Sequence, residues 1–422
     1  MLPQYSPISN QDSEKQPIKD YSCTCVNHPH HQCNNNNNQK RRPSKWTIIT
    51  LGALGLFFLG HMCDSHENQH YHFNDDNIDV HIDSDGLSEN QYTTQDWNIF
   101  CFGKNSPLIP WDGKIVYDSF DNIKDFTLNH VQNSTGYSGV HITEGKITVA
   151  QNSELNQPRV IYDIKVSDNA LKESIQIKES KSLDNYKIVL SQEYNYRQGC
   201  ISINALLEVP TTEYLQDVVF KTINHDIIIR DELILNGTLT TKTLSGDTDI
   251  KQLVKAHTID LSSVSGDISV KKASAETIDI STKSGDISGM FNLSGAHFNA
   301  GAISGDVDVK FDPITSVTDI VAKSLSGDVD VKFDSITSVT NIVAKSLSGD
   351  VDIKVPSDFE SKFEVSTLTG DAEVKAKDSK NLHLAQNKRH HKFIKGYYGN
   401  DENSSSVIKA TTKSGDISVK YN

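Results

Sequence analysis

In the second half of this 422-residue chain the tripeptide Ser-Gly-Asp, once Thr-Gly-Asp, places aspartates at 247, 267, 286, 306, 328, 350, 371 and 416. Carboxylates stacked one strand spacing apart, about 4.8 Å, repel unless a cation or turn hydrogen bonds compensate them. Two chemistries are therefore open. Asp267, Asp286, Asp306, Asp328 and Asp350 make a weak candidate Ca²⁺ ladder, with a second file at Asp308, Asp330 and Asp352 beside it. The alternative, and the favoured expectation, is that each aspartate stabilises the backbone of a turn, with Lys310, Lys332 and Lys354 sharing the surface. The Gly-Gly-x-Gly-x-Asp nonapeptide of Ca²⁺-binding β-rolls does not occur.

Other reactive residue types are scattered. Cys23 to Cys33 (CTCVNHPHHQC) has zinc-ligand residues, but its spacing fits no zinc module and no apolar residues surround it. Asn387 to Lys392 (NKRHHK), followed by Phe393, Tyr397 and Tyr398, is a basic and aromatic patch that would suit an anionic glycan or partner. A solvated loop is the blander reading. No G-x-S-x-G, H-E-x-x-H, Walker loop or dinucleotide fingerprint is present, so no enzyme, cofactor or metal centre is expected. The net charge is -14, and residues 1–45 are net basic, so the remainder is more acidic still and repels nucleic acid.

The elements that position these residues begin with a membrane segment. Trp46 to Cys63 (WTIITLGALGLFFLGHMC) holds no Asp, Glu, Lys or Arg and spans about 27 Å as a helix. Lys40, Arg41, Arg42 and Lys45 precede it and Asp64 and Glu67 follow it, which puts the N-terminus in the cytosol and the rest across the membrane. A cleaved signal peptide would need an n-region far longer than usual. Residues 1–45, with the run Asn34–Asn38, read as a disordered tail, and 64–96 as a polar acidic stalk. Four sequons follow the anchor, at Asn133, Asn236, Asn292 and Asn403.

The tripeptide glycines fall 19–22 residues apart, except for a final gap of 45. Apart from Thr241, Thr248 and Gly289, apolar residues sit seven and five before each glycine and two and four after it, which is the strand period. Each unit is thus a strand, a tight turn, a second strand and a looser return. Glycine is expected to supply a positive φ at the turn. One such unit cannot bury its apolar face alone, whereas stacked units can. The predicted fold is all-β: a β-solenoid of about eight rungs over 231–422, with an insertion near 380–406 projecting as a loop. Residues 97–230 carry alternating runs such as RVIYDIKV and YKIVLSQ and are expected to form a β capping unit over the open edge. Cys101 and Cys200 bracket that unit and are the candidate disulfide if it lies outside the cell; two unpaired thiols are the alternative.

Tandem rungs of this form, from SGDTDI at 245–250 to the closing TTKSGDISVKYN, resemble the adhesin family known as DUF4097 over about 220–422. The resemblance implies a β-solenoid with a surface or adhesin-like role and no established chemistry. The poly-Asn tail and single anchor suggest a fungal or other eukaryotic membrane-bound member. The expectation is therefore a single-pass, non-enzymatic surface protein whose rigid stack meets a wall glycan or a protein partner. Its rivals are a polysaccharide-acting β-helix enzyme and a self-assembling scaffold.

Overall fold

The computed structural model describes residues 108–120, 123–132, 140–192, 199–210, 215–388 and 392–422, all within one compact unit, Asn68–Asn422. The tail, the apolar segment at 46–63, the stalk, Cys101 and Asn133 lie outside them. No helix among the described residues is long and apolar enough to cross a membrane.

Alternation builds the strands. In Thr318–Ser326 (TDIVAKSLS), Thr318, Ile320, Ala322 and Ser324 are buried, while Asp319, Val321 and Lys323 face outward. A turn at Ser326-Gly327-Asp328 leads into Val329–Phe333, whose burial alternates the same way. The next unit lies beside it in parallel register, from Thr318↔Thr340 to Ser326↔Ser348 and from Val329↔Val351 to Lys332↔Lys354. Like residues therefore stand over like. Ile259, Ile278, Phe298, Ile320 and Ile342 form one dry column, and Ile268, Ile287, Val307, Val329 and Val351 another, each at most 1% exposed. Gly289, an inward position without a side chain, leaves room for the ring of Phe291. Phe291, Phe298, Phe311 and Phe333 then pack at centroid distances of 4.8–5.0 Å, Phe298 edge-on to Phe311 and Phe311 stacked on Phe333. Ile268–Ser284 and Ile287–Ser304 run through the return between units as single strands with register shifts.

Three features depart from the expectation. The stacked geometry begins well before residue 231. Asp217–Thr222 and Asp226–Ile229 lie parallel to Thr238–Thr243 and Thr248–Lys255. Asp125–Gln132 and Val140–Gln151 lie parallel to those in turn, and Asn185–Gln192 and Gly199–Val209 lie beyond. The capping strands are the antiparallel ones: Arg159–Val166 on Gly199–Val209, and Ile175–Ser182 on Asn185–Gln192.

The second departure is in the order of the last units. Val407–Thr412 and Ile417–Tyr421, the C-terminal rung, lie between Thr340–Ser348/Val351–Val355 on one side and Ser361–Thr367/Ala372–Ala376 on the other. The corner glycines thus stack as 327, 349, 415, 370. Spacing alone cannot foresee this, because every rung offers its neighbours the same backbone pattern.

Third, the insertion near 380–406 is not a projecting loop. Leu382–Lys388 and Phe393–Tyr398 form a hairpin that pairs antiparallel with Ser361–Thr367 and covers its outer edge. Tyr398 is buried and stacks on Tyr421 at 4.1 Å, so it belongs to the core and not to a surface patch.

Candidate functional site

The stacked corner is where the sequence concentrates its chemistry. A corner glycine meets the carbonyl oxygen of the glycine one rung away; a Cβ on Gly327 would lie 2.2 Å from the Gly305 oxygen. Among the eight corner glycines only Gly305 and Gly415 have positive φ, +152° and +154°. Close approach between rungs, rather than a left-handed turn, is therefore why glycine is required here.

Two side-chain ladders satisfy the corner backbone. On the outside, each aspartate Oδ1 accepts from the backbone N–H of the aspartate one rung on. Asp267 accepts from Asp286, Asp286 from Asp306, Asp306 from Asp328 and Asp328 from Asp350, each at 2.8 Å. Asp350 then accepts from Asp416 and Asp416 from Asp371, at 2.7 Å. On the inside, the hydroxyl three residues before the glycine donates to the glycine carbonyl of the neighbouring rung. Thr282 reaches Gly266, Ser324 reaches Gly305, Ser346 reaches Gly327 and Thr412 reaches Gly349, at 2.8–3.1 Å. Buried backbone polar groups must find partners, and these ladders supply them. The inner ladder was missed in the sequence, although Ser or Thr recurs there in every rung except at Ala302.

The aspartates of the candidate Ca²⁺ ladder are thus compensated by amide donors. Among the described residues no group of three or more His, Cys, Asp or Glu could hold a metal ion. The second file is neutralised by lysines: Lys332 sits 2.8 Å from Asp330 and 3.3 Å from Asp308, and Lys354 2.8 Å from Asp352. The hydrogen bond to Asp330 raises the Lys332 pKa. Burial raises the Asp352 carboxyl, but Lys354 and Lys420 more than offset it and hold the group below its ordinary value. Asp306→Ala is expected to cost about 1 kcal/mol of stability by orphaning the Asp328 N–H. Asp306→Asn keeps an acceptor and should cost less. Paired urea titrations compare them, and equal losses would remove the ladder's role.

A second group of residues escaped sequence reading. Asn224-His225-Asp226 is a corner without glycine. A Cβ on Gly246 would meet the His225 carbonyl, and Asp226 Oδ1 accepts from Asp247 N–H at 3.0 Å. The His225 side chain turns into the core, fully buried, with Nδ1 2.7 Å from Thr222 Oγ1. It stands edge-on to the buried ring of His130 at 4.5 Å, and the bare backbone of Gly145 leaves the space it fills. His130 Nε2 lies 3.4 Å from the Tyr162 hydroxyl. Burial pushes the His225 pKa down to about 4 and that of His130 well below its ordinary value. The signal was available in Asn-His-Asp standing about one unit before Ser245-Gly246-Asp247.

Cys200 is disulfide-bonded, while Cys101 lies outside the described residues. Asn236 and Asn403 are exposed and Asn292 half-buried. Of the basic patch, Lys392 pairs with Asp371 at the end of the aspartate ladder, and Tyr397 stacks on His383 at 4.5 Å.

No curated protein matches the chain. Several solved structures do. One described as a putative adhesin from Bacteroides fragilis is 16% identical, covering 73% of this chain and 96% of that chain at a TM-score of 0.30. A second such protein, from Parabacteroides merdae, is 14% identical, covering 73% and 97% at 0.31. One described as a putative lipid binding protein from Parabacteroides distasonis is 13% identical, covering 72% and 95% at 0.38. Scores this low transfer nothing from those proteins to this one. The family pattern called Toastrack DUF4097, however, matches residues 140–420. That match starts at the strand Val140–Gln151, one of those that carry the stack upstream of residue 231. Its extent, two thirds of the sequence, makes this chain a member of the Toastrack DUF4097 family.

Proposed function

We propose that this protein is a membrane-anchored, adhesin-like surface protein whose β-stack binds a wall glycan or a protein partner and catalyses no reaction. The observation that carries the reading is the outer face of the two near-identical rungs. Thr318–Ser326 and Thr340–Ser348 set Val321 beside Val343 and Lys323 beside Lys345, so this pair of rungs extends one surface rather than building a unique pocket. The apolar run at 46–63 with its basic flank supports an anchor with the stack on the far side of the membrane, and the exposed sequons Asn236 and Asn403 support an exterior chain. The poly-Asn tail favours a eukaryotic source.

Two measurements test this. Full-length protein expressed in eukaryotic cells should lose mass on glycosidase treatment, and Asn403→Gln should remove part of that shift. An unglycosylated chain would place the stack on the cytosolic side. The detergent-solubilised chain, screened on glycan and surface-protein arrays, should bind at least one class of ligand, and a blank array would end the adhesin reading.

A further inference from the structure

The place of the C-terminal rung carries an inference of its own. Val407–Thr412 and Ile417–Tyr421 fill a slot one rung wide between two walls that are neighbours in sequence, joined only by residues 356–360. The rung is held by both walls in the same register. Ile408 lies between Ile342 and Phe363, Ala410 between Ala344 and Val365, Ile417 between Val351 and Ala372, and Val419 between Ile353 and Val374. Thr412 donates to the Gly349 carbonyl on one side, and Thr367 donates to the Gly415 carbonyl on the other.

The rung's tether is slack. Tyr398 pairs with Ser361 on one side of the strand Ser361–Thr367, and Val407 pairs with Lys362 on the other, so the connection spans about two strand spacings, roughly 10 Å. It is eight residues long, 399–406, and such a segment reaches about 27 Å when extended. It is polar, with Asn400, Asp401, Glu402 and Asn403 exposed. Glu360 pins its middle, accepting from the Asn400 backbone and side-chain N–H at 3.2 Å and, through its carbonyl, from the Ser404 hydroxyl at 3.0 Å; its ends are held where Gly399 N–H donates to the Asn381 carbonyl and where the Ser406 carbonyl and hydroxyl accept from Lys362 and Thr340 N–H, at 3.0–3.2 Å. Without the rung, the two walls expose matching strand edges.

We propose that the C-terminal rung is exchangeable and that its partner is the slot of a second copy of this chain, so that two stacks join through reciprocal insertion of Val407–Tyr421. A second copy is the occupant because the slot demands a particular set. It needs a hydroxyl beneath the Gly349 carbonyl, a carboxylate beside the Asp371 N–H, apolar residues at four inward positions and a ring to meet Tyr398. The chain's own repeat supplies all of them on a tether long enough to leave. The slot lies one rung inside the end of the stack opposite residue 108, so opening of the single outer wall Ser361–Ala376 with its hairpin exposes it to a second chain. Exchange needs neither an anchor nor a ligand, and it stands or falls apart from the adhesin reading.

The test uses register partners across the slot, Asp352 and Ser418. Full-length Asp352→Cys and full-length Ser418→Cys chains are mixed in detergent and oxidised. A disulfide-linked heterodimer at least ten-fold above either pool alone is expected, and Glu360→Ala in both pools should speed its formation several-fold. A chain carrying both cysteines is the control for geometry. If it closes the bond within itself while the mixed pools give no heterodimer, exchange does not occur. If it closes in neither way, native mass spectrometry of isotope-labelled and unlabelled unsubstituted chains decides. Mixed dimers that form faster with Glu360→Ala support the proposal, and their absence overturns it.

Discussion

Lowering the pH from 7 to 5 is expected to weaken the fold strongly, through His130 and His225. Both are buried and neutral, with His225 depressed to about 4 and His130 well below its ordinary value. The sign follows from linkage. Below about pH 6.5 the unfolded chain takes up protons that the folded chain refuses, so stability is full above that pH and falls as the pH drops toward the folded values. Each such histidine loses about 1.4 kcal/mol per pH unit. His225 alone accounts for about 2 kcal/mol by pH 5 and roughly 3 kcal/mol by pH 4, and His130 adds to it. The window from pH 7 to 5 lies above ordinary carboxylate titration, so the histidines dominate it. Urea unfolding at the two pH values reads the difference, and His225→Gln should flatten it. An unchanged midpoint would show that the two rings are not buried as neutral groups.

Gly327→Ala should open the middle of the stack. The added Cβ would meet the Gly305 carbonyl oxygen at 2.2 Å, and that atom is backbone held by the Ser324 hydroxyl and the parallel ladder. Neither partner can rotate away, so two rungs must part. The expected cost is about 3 kcal/mol or more, the range reached when a packed backbone has to shift. Ser326→Ala, on the exposed residue beside it, should stay within about 0.5 kcal/mol. Thermal or urea melts of the pair test this. Equal midpoints would mean that the corners are looser than their stacking implies.

The inward columns were readable because burial imposes a period of two on Ile320, Ala322, Val329 and Val331, and because the repeat places them at constant offsets from Gly327. The aspartate corner was readable as a turn, but its hydrogen bonds run between rungs rather than within one, which a single unit cannot reveal. The corner at His225 was hidden by its residue type: a ring that points inward beside Gly145 does the space-filling that later rungs leave to aliphatic side chains. The upstream strands Asp125–Gln132 and Asn185–Gln192 lack the tripeptide, and only their register ties them to the stack. The position of the C-terminal rung was least legible. Ile408 meets Ile342 on one side and Phe363 on the other, and both are good neighbours for it.

The units at 304–325 and 326–347 differ only at Pro313/Ser335 and Asp319/Asn341, and they sit mid-stack in identical register. Copying or losing one such block would leave both terminal assemblies untouched, since a block meets only its two flanking blocks. Length in this architecture can therefore change in whole steps of about 4.8 Å. The gene would act as a ruler whose graduations are 22 codons long, so lineages could tune the length of the stack without redesigning either of its ends.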